Sequence, residues 1–374
     1  MKQSPSLSRS EKPTVADVAR EAQVALGTVS RVLNTPELVT DEMRRRVEEV
    51  IERLDYQPLR RRNVNTQMSG SSVQRRRSGC IGVLLVGMDD SLTHLPVISE
   101  AIHGVELAIA DADENLMLAN VPGADRIPAF LSKGLVDGLV IKTPLLGDWK
   151  KCASKELIEA IERFPHVWLI GQPESATGDV VSSDNDEGAG IAANYLFARN
   201  HRRIAYLHPR PGQTRSENLK HAFMMHTQRL EMDLQFLEGE RAETVRWPLP
   251  AITQPTDLVP LLDRWEAQSE SNRPTALVVG ADSIAVQLYT ALQQRGLQVG
   301  KDISVLSFNH EKPLVMGLEP SLTTIDIRAE AIGQRAMDQL RWRMDHVDDN
   351  IPTKVLIAPR LVEGGSVANL QPSQ

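Results

Sequence analysis

Chemistry needs particular side chains at particular spacings, and this 374-residue chain offers few such sets. Its nine histidines are scattered. His201, beside Arg202 and Arg203, reads as the end of a helix, where a cation suits the dipole. There is no His-Glu-x-x-His pair for a metal, no Gly-x-Ser-x-Gly turn for a nucleophile and no glycine-rich phosphate loop. Cys80 and Cys152 give neither metal spacing nor a disulfide framework. These absences argue against an enzyme, a cofactor and a metal site. Arginines are what stand in runs: Arg60-Arg61-Arg62 and Arg75-Arg76-Arg77. Residues 1–77 carry fifteen Lys or Arg against ten Asp or Glu, a balance of +5 hidden inside a total of −7. The remainder balances at −12. A basic module ahead of an acidic body is the pattern of a polyanion-binding head on a soluble core.

The elements that must position such a head are legible as periodicity. Three short helices are expected within residues 13–57. Thr14-Val15-Ala16-Asp17 matches a capping box, and Val15, Val18, Ala19 and Ala22 fall on one helical face. A turn at Gln23-Val24 leads to a second helix from Leu26 to Asn34, with Val29, Val32 and Leu33 inward. Thr40 is expected to cap a third, whose apolar positions are Met43, Val47, Val50, Ile51 and Leu54. Asp41 and Glu42 there suit the positive end of the dipole. Two short helices joined by a tight turn are the unit whose second helix enters the major groove of DNA, although an ordinary helical hairpin has the same outline. From 58 to 79 periodicity vanishes, and the segment reads as a basic linker.

Residues 80–374 change character. Cys80-Ile81-Gly82-Val83-Leu84-Leu85-Val86 is a near-continuous apolar run, as for a strand buried on both faces. Further strands are expected at 116–119, 138–141, 167–170, 204–207, 276–279 and 303–308. Helices are expected at 97–113, 187–199, 283–295 and 329–344. Alternation of this kind implies an α/β architecture with parallel sheets. About ten strands exceed one comfortable sheet, so two lobes are expected. A ligand would lie between them, at the carboxyl ends of the strands. Met1 to Lys12 are polar, with no apolar stretch of a signal peptide, and no window approaches the roughly 20 apolar residues of a membrane span. A cytoplasmic protein is expected.

Thr14-Val15-Ala16-Asp17-Val18-Ala19, Val24, Thr28-Val29-Ser30-Arg31-Val32-Leu33-Asn34 and Tyr56-Gln57-Pro58 together resemble the lactose/galactose repressor family. The resemblance continues through Asp184-Asn185-Asp186-Glu187-Gly188-Ala189, Asn200-His201-Arg202-Arg203-Ile204-Ala205, Pro274-Thr275-Ala276-Leu277 and Asp302-Ile303-Ser304-Val305. Leu322-Thr323-Thr324-Ile325 and Pro359-Arg360-Leu361-Val362 extend it. It implies a helix-turn-helix head, a periplasmic-binding-protein-like core, a homodimer on palindromic double-stranded DNA and a small, sugar-like effector. Leu26, Gly27 and Arg31 would face bases, with Thr28 and Ser30 near phosphates. Thr14, Val24, Ala25, Asn34 and Tyr56 would complete the interface. Arg31 can pair with a guanine in bidentate fashion, whereas Leu26 offers only apolar contact. Ala25 replaces the family's usual serine cap, at a cost of about 1 kcal/mol.

Two regions depart from the family pattern. In the hinge, Asn65 falls where a leucine wedges into the minor groove and Asn63 where an arginine stands. Either Val64 or Met68 replaces the wedge or there is no kink, while Arg60, Arg61 and Arg62 attract phosphate or merely face solvent. In the cleft, Asn309 replaces an aspartate, Ala281-Asp282 replaces an Asn-Asp pair, and the effector arginine falls on Asn218 or Leu219. Loss of that arginine weakens the case for an anionic effector. Arg215, His94, Asp89 and Asp184 remain candidate cleft groups, although Asp184 also fits the start of a helix and His94 an exposed loop. Two other outcomes stay open: a core that only dimerises, or one that binds a protein partner.

Overall fold

The computed structural model describes residues 14–34, 39–54, 56, 77–89, 94–212, 214–241, 244–249 and 256–371. Contacts divide the chain into two units, residues 1–75 and 76–374.

The first unit holds three helices among its described residues: α1 (Val15–Glu21), α2 (Leu26–Asn34) and α3 (Asp41–Arg53). The expected capping box is present. The Thr14 N–H donates to Asp17 Oδ2 at 2.9 Å, and the Asp17 N–H to Thr14 Oγ1 at 3.3 Å. Gln23 makes the turn in the left-handed region, with φ 53°. Its side-chain oxygen accepts from Arg46 at 3.1 Å, which ties the turn to α3. Val18, Ala19, Ala22, Val29, Val32, Val47 and Val50 form the small core. Two expectations fail here. Thr40 precedes α3 without a side-chain cap bond, leaving Asp41 and Glu42 to meet the helix start. Met43 is exposed, because the core is already filled by valines one turn further along.

The second unit has two lobes. In lobe 1, β1 (Cys80–Val86), α4 (Pro96–Ala110), β2 (Asn115–Val121), α5 (Ala129–Ser132) and β3 (Gly138–Lys142) come first. Then follow α6 (Trp149–Cys152), α7 (Lys155–Glu162), β4 (His166–Leu169) and β5 (Asp179–Ser183). Lobe 2 contains α8 (Asn185–Ala198), β6 (Arg203–His208), α9 (Thr214–Arg229), β7 (Asp233–Glu238) and α10 (Val259–Glu266). It continues through β8 (Ala276–Val279), α11 (Asp282–Gln294), β9 (Ser304–Asn309), α12 (Lys312–Val315) and β10 (Thr323–Asp326). The chain then returns as α13 (Ala329–Asp345) and β11 (Lys354–Ile357) to lobe 1, and crosses again to end lobe 2 with β12 (Arg360–Val362).

Each lobe has a six-stranded sheet, in the orders β11-β5-β4-β3-β1-β2 and β12-β10-β9-β8-β6-β7. All neighbours pair in parallel except β12, which is antiparallel to β10. Apolar clusters cover both faces of both sheets, which is why β1, β3, β8 and β9 are buried almost throughout. Helices α4 and α13 cross so closely that a Cβ on Gly104 would overlap the Glu330 carbonyl, and one on Gly333 the Ala101 carbonyl. A strap from lobe 2 also reaches lobe 1. After β7 the chain places Trp247 in the lobe 1 core, 6.0 Å from Trp149 between ring centroids, with Nε1 donating to the Leu146 carbonyl at 2.9 Å. The Leu249 N–H then donates to the Gly87 carbonyl at 2.8 Å.

His201 is not a helix-end cation. It is fully buried after α8, with Nδ1 2.7 Å from Thr275 Oγ1 and Nε2 3.1 Å from both the Ala368 carbonyl and Ser304 Oγ. Burial pushes its pKa down to about 4, so the ring is neutral at pH 7.

Candidate DNA-reading surface and ligand cleft

In the first unit, the start of α2 carries the expected reading face. Leu26 is 54% exposed, unusual for a leucine in so small a domain. Gly27 has open space where a Cβ would stand, and Arg31 is exposed. Thr14 and Ala25 are exposed and Thr28 is half-buried. The Ala25 carbonyl accepts from the Thr28 N–H at 2.8 Å and holds the cap position without a hydroxyl. Val24 and Tyr56 are half-buried against the head's core, so both have a packing role. Ser30 and Asn34 lie within α2, but their side chains fall outside the described structure, as do Arg60, Arg61, Arg62 and the hinge positions Asn63, Val64, Asn65 and Met68.

The second unit's polar residues converge at the carboxyl ends of its strands. Arg215 lies one helical turn before Leu219 on α9. Leu219 is buried in the lobe 2 core and Asn218 is exposed, so neither residue serves as the effector arginine. Positions four apart share a helix face, and Arg215 Nη2 donates to Asn309 Oδ1 at 2.9 Å. Asn309 and the following His310 both have positive φ, 108° and 58°. Two consecutive non-glycine residues in that region mark strain of the kind concentrated at binding sites. The Asn309 amide reaches Glu311 Oε2 at 3.4 Å, and Glu311 Oε1 accepts from the Val97 N–H of lobe 1 at 3.4 Å.

Asp282 anchors this corner. It is fully buried and accepts from the Glu311 N–H at 2.5 Å, from Thr324 Oγ1 at 2.8 Å and from the Ser307 hydroxyl. Burial pushes its carboxyl up, and the three donors pull it back. Burial and the adjacent Asp282 likewise raise Glu311. Arg215 is half-buried, and withdrawal from water lowers its pKa against the pull of Tyr206, Glu311 and Asp282.

Lobe 1 answers with Lys142, the last residue of β3. It is 6% exposed, and among the described residues Nζ has one hydrogen-bond partner, the Ile170 carbonyl at 3.4 Å. Burial, then the charge of Arg215, lower its pKa to about 7. Beside these cations two hydroxyls have no hydrogen-bond partner among the described residues: Thr143 Oγ1, next to Lys142 in the chain, and Tyr206 Oη, which lies close enough to Arg215 to act on its charge. Thr143 and Tyr206 are both buried, whereas the buried His208 turns its Nε2 to Glu217 Oε1 at 3.6 Å. Buried polar groups left unsatisfied at strand ends are the mark of a site awaiting a ligand.

Of the six expected cleft residues, Arg215, Asp282 and Asn309 come together. Asp89 and His94 are exposed, and Asp184 caps α8, accepting from the Asp186 and Glu187 N–H groups at 3.0 Å each. Sequence reasoning missed Lys142, Tyr206 and Glu311. The available signal was a lysine closing an otherwise apolar strand, where it cannot reach water as a flanking residue would.

A helix-turn-helix unit followed by a two-lobed core of this topology defines a DNA-binding transcriptional regulator. Residues 14–59 match the bacterial regulatory proteins of the lacI family, and residues 193–367 match the periplasmic binding protein-like domain. The lacI-family match thus falls on the head and the periplasmic binding protein-like match on the core. It is 27% identical over 366 residues to the transcriptional repressor PurR of Edwardsiella ictaluri, covering 95% of this chain and 97% of that one. To the ribose operon repressor of Escherichia coli K12 it is 28% identical over 367 residues, covering 94% and 99%. The lac repressor dimer bound to operator and an anti-inducer shares the fold, with a TM-score of 0.61 at 20% identity, over 96% of this chain and all of that one.

Proposed function

We propose that this protein is a homodimeric, cytoplasmic repressor without enzymatic activity, whose grip on a palindromic operator is set by a small molecule held between its lobes. Residues 13–57 form the reading head, 58–79 the connection and 80–374 the sensing and dimerising core. Leu26, Gly27 and Arg31 contact bases. The arginine supplies the polar discrimination, because the other two offer no donor or acceptor. Two-fold symmetry of the dimer matches two half-sites.

The observation that carries the sensing half is the set of buried, unpartnered polar atoms on both lobes, around Arg215 and Lys142. A core kept only for dimerisation would gain by filling that space with apolar side chains. The effector would bridge the lobes where Val97 already meets Glu311. Closure around it would change the preferred lobe arrangement, with a coupling to DNA of about 1–3 kcal/mol.

The test uses the full chain. Its operator is selected from random duplex DNA, and affinity is then measured by fluorescence anisotropy with and without a panel of sugars, acids, phosphates and purines. The reading requires a compound that shifts operator affinity at least several-fold and loses its effect in Asn309→Ala. Affinity that is the same across the whole panel sinks it.

A further inference from the structure

We propose that the cleft takes an anion, a carboxylate or phosphate borne on a small polyhydroxylated molecule, clamped between Lys142 of lobe 1 and Arg215 of lobe 2. This rests on the reading of the cleft as the effector site and names the chemistry of what enters it.

The argument starts from what each buried charge has for company. Arg215 and Lys142 belong to different lobes, and the Thr214 N–H donates to the Leu145 carbonyl at 2.8 Å, which holds the start of α9 against the segment that follows β3. The two cations thus stand near enough for one to depress the protonation of the other. Neither makes an ion pair among the described residues. The two acids nearby are already engaged. Asp282 takes three donors from lobe 2 itself, and Glu311 takes the Asn309 amide and the Val97 N–H. Two like charges buried near one another are costly unless something negative comes between them. Arg215 spends one donor on Asn309, and a guanidinium has five. The ammonium of Lys142 has three donors and one long contact. The site is therefore short of acceptors.

The neutral side chain of Asn309 points the same way. An aspartate there would pair with Arg215 and cancel its charge. An asparagine orients the guanidinium through its oxygen and leaves the charge for a ligand. Tyr206 and Thr143 supply uncharged hydroxyl partners, which suits hydroxyl groups on the ligand. The hydroxyl of Tyr206 lies 2.9 Å from where a Cβ on Gly280 would stand, so a glycine keeps that corner open.

The experiment compares charged and neutral versions of one skeleton on the full-length protein. Thermal shift and calorimetry are run with gluconate, glucuronate, glucose 6-phosphate and ribose 5-phosphate against glucose and ribose. At least one acid or phosphate should bind, and its neutral counterpart should bind at least about tenfold more weakly. Binding by the acids alone assigns a sugar acid, and by the phosphates alone a phosphate ester. Lys142→Met should lower affinity for the anion by about tenfold to a hundredfold, with circular dichroism checking that the variant folds. Burial, and among the described residues the charge of Arg215, hold the pKa of the Lys142 ammonium at about 7. Affinity of the unmodified protein should therefore fall as pH rises above about 7 and be flat over that range in Lys142→Met. Neutral sugars binding as tightly as their charged versions, no binding by any of the four anions, or an unchanged affinity in Lys142→Met each overturn the proposal. A neutral sugar that releases the operator would remove the anion while leaving the sensing function intact.

Discussion

The head and the core are built by the same rules but carry their function in opposite ways. In the proposed function the head displays it, with Leu26 and Arg31 exposed on α2. The core buries it. Asp282, Glu311, Asn309 and Arg215 hold one another through a chain of hydrogen bonds, so none can change alone. An exposed functional residue is free to vary with its partner, whereas a buried one varies only as part of a set.

Four measurements would sharpen or break this contrast. The largest effect is expected from Gly333→Ala, where a methyl group meets the Ala101 carbonyl at the α4–α13 crossing. Backbone cannot move aside as a side chain can, so the core should lose about 3 kcal/mol or more. All five tryptophans lie beyond residue 77, and a denaturant melt followed by their fluorescence reports the core alone. A loss below about 1 kcal/mol would mean the helices can separate freely.

Next comes pH. Because His201 is depressed from 6.5 to about 4 on folding, the unfolded chain binds the extra proton between those values. Stability should therefore fall with falling pH through that window, by about 2 kcal/mol from pH 6.5 to 5, and level off below about 4. His201→Gln should flatten that slope, and the same melt carried out at several pH values checks it.

Arg31→Ala acts on the head. It should weaken specific operator binding by about 1–3 kcal/mol and relax base choice, with little change in the tryptophan melt. Unchanged specific affinity in a competition titration would mean that another part of the head reads the bases. The smallest effect is the head's counterpart to the first. Gly27→Ala meets nothing within reach and should stabilise α2 by about 0.5–1 kcal/mol, read from slower amide exchange there. Glycine-to-alanine would thus have opposite signs in the two units.

How much could be read from the sequence follows the same division. The head's helices were legible because a capping box and short-range apolar spacing lie within a few residues of each other. The strands β1, β3, β6, β8 and β9 were legible as apolar runs buried on both faces. Strands β5 and β7 were not, since Asp-Val-Val-Ser-Ser and Asp-Leu-Gln-Phe-Leu-Glu mix polar and apolar residues. Helix α9 was hidden for a similar reason: it begins Thr-Arg-Ser-Glu-Asn and buries only Leu219, Phe223 and Thr227. In the cleft, Arg215 could be nominated but not paired, because its partner Asn309 is 94 residues away. Lys142 was passed over because a lysine at a strand end is ordinarily a boundary with water. Here it is buried, with Nζ turned to the Ile170 carbonyl.

The return of the chain to lobe 1 has a consequence for how the protein is made. Lobe 1 is begun first, yet its sheet lacks the edge strand β11 and its core lacks Trp247 and α13 until those later residues exist. Five of the six strands of lobe 2, by contrast, lie in one continuous stretch. On the ribosome, therefore, the second lobe can assemble while the first waits with an open flank. The sensing cleft comes into being only when nearly the whole chain has emerged.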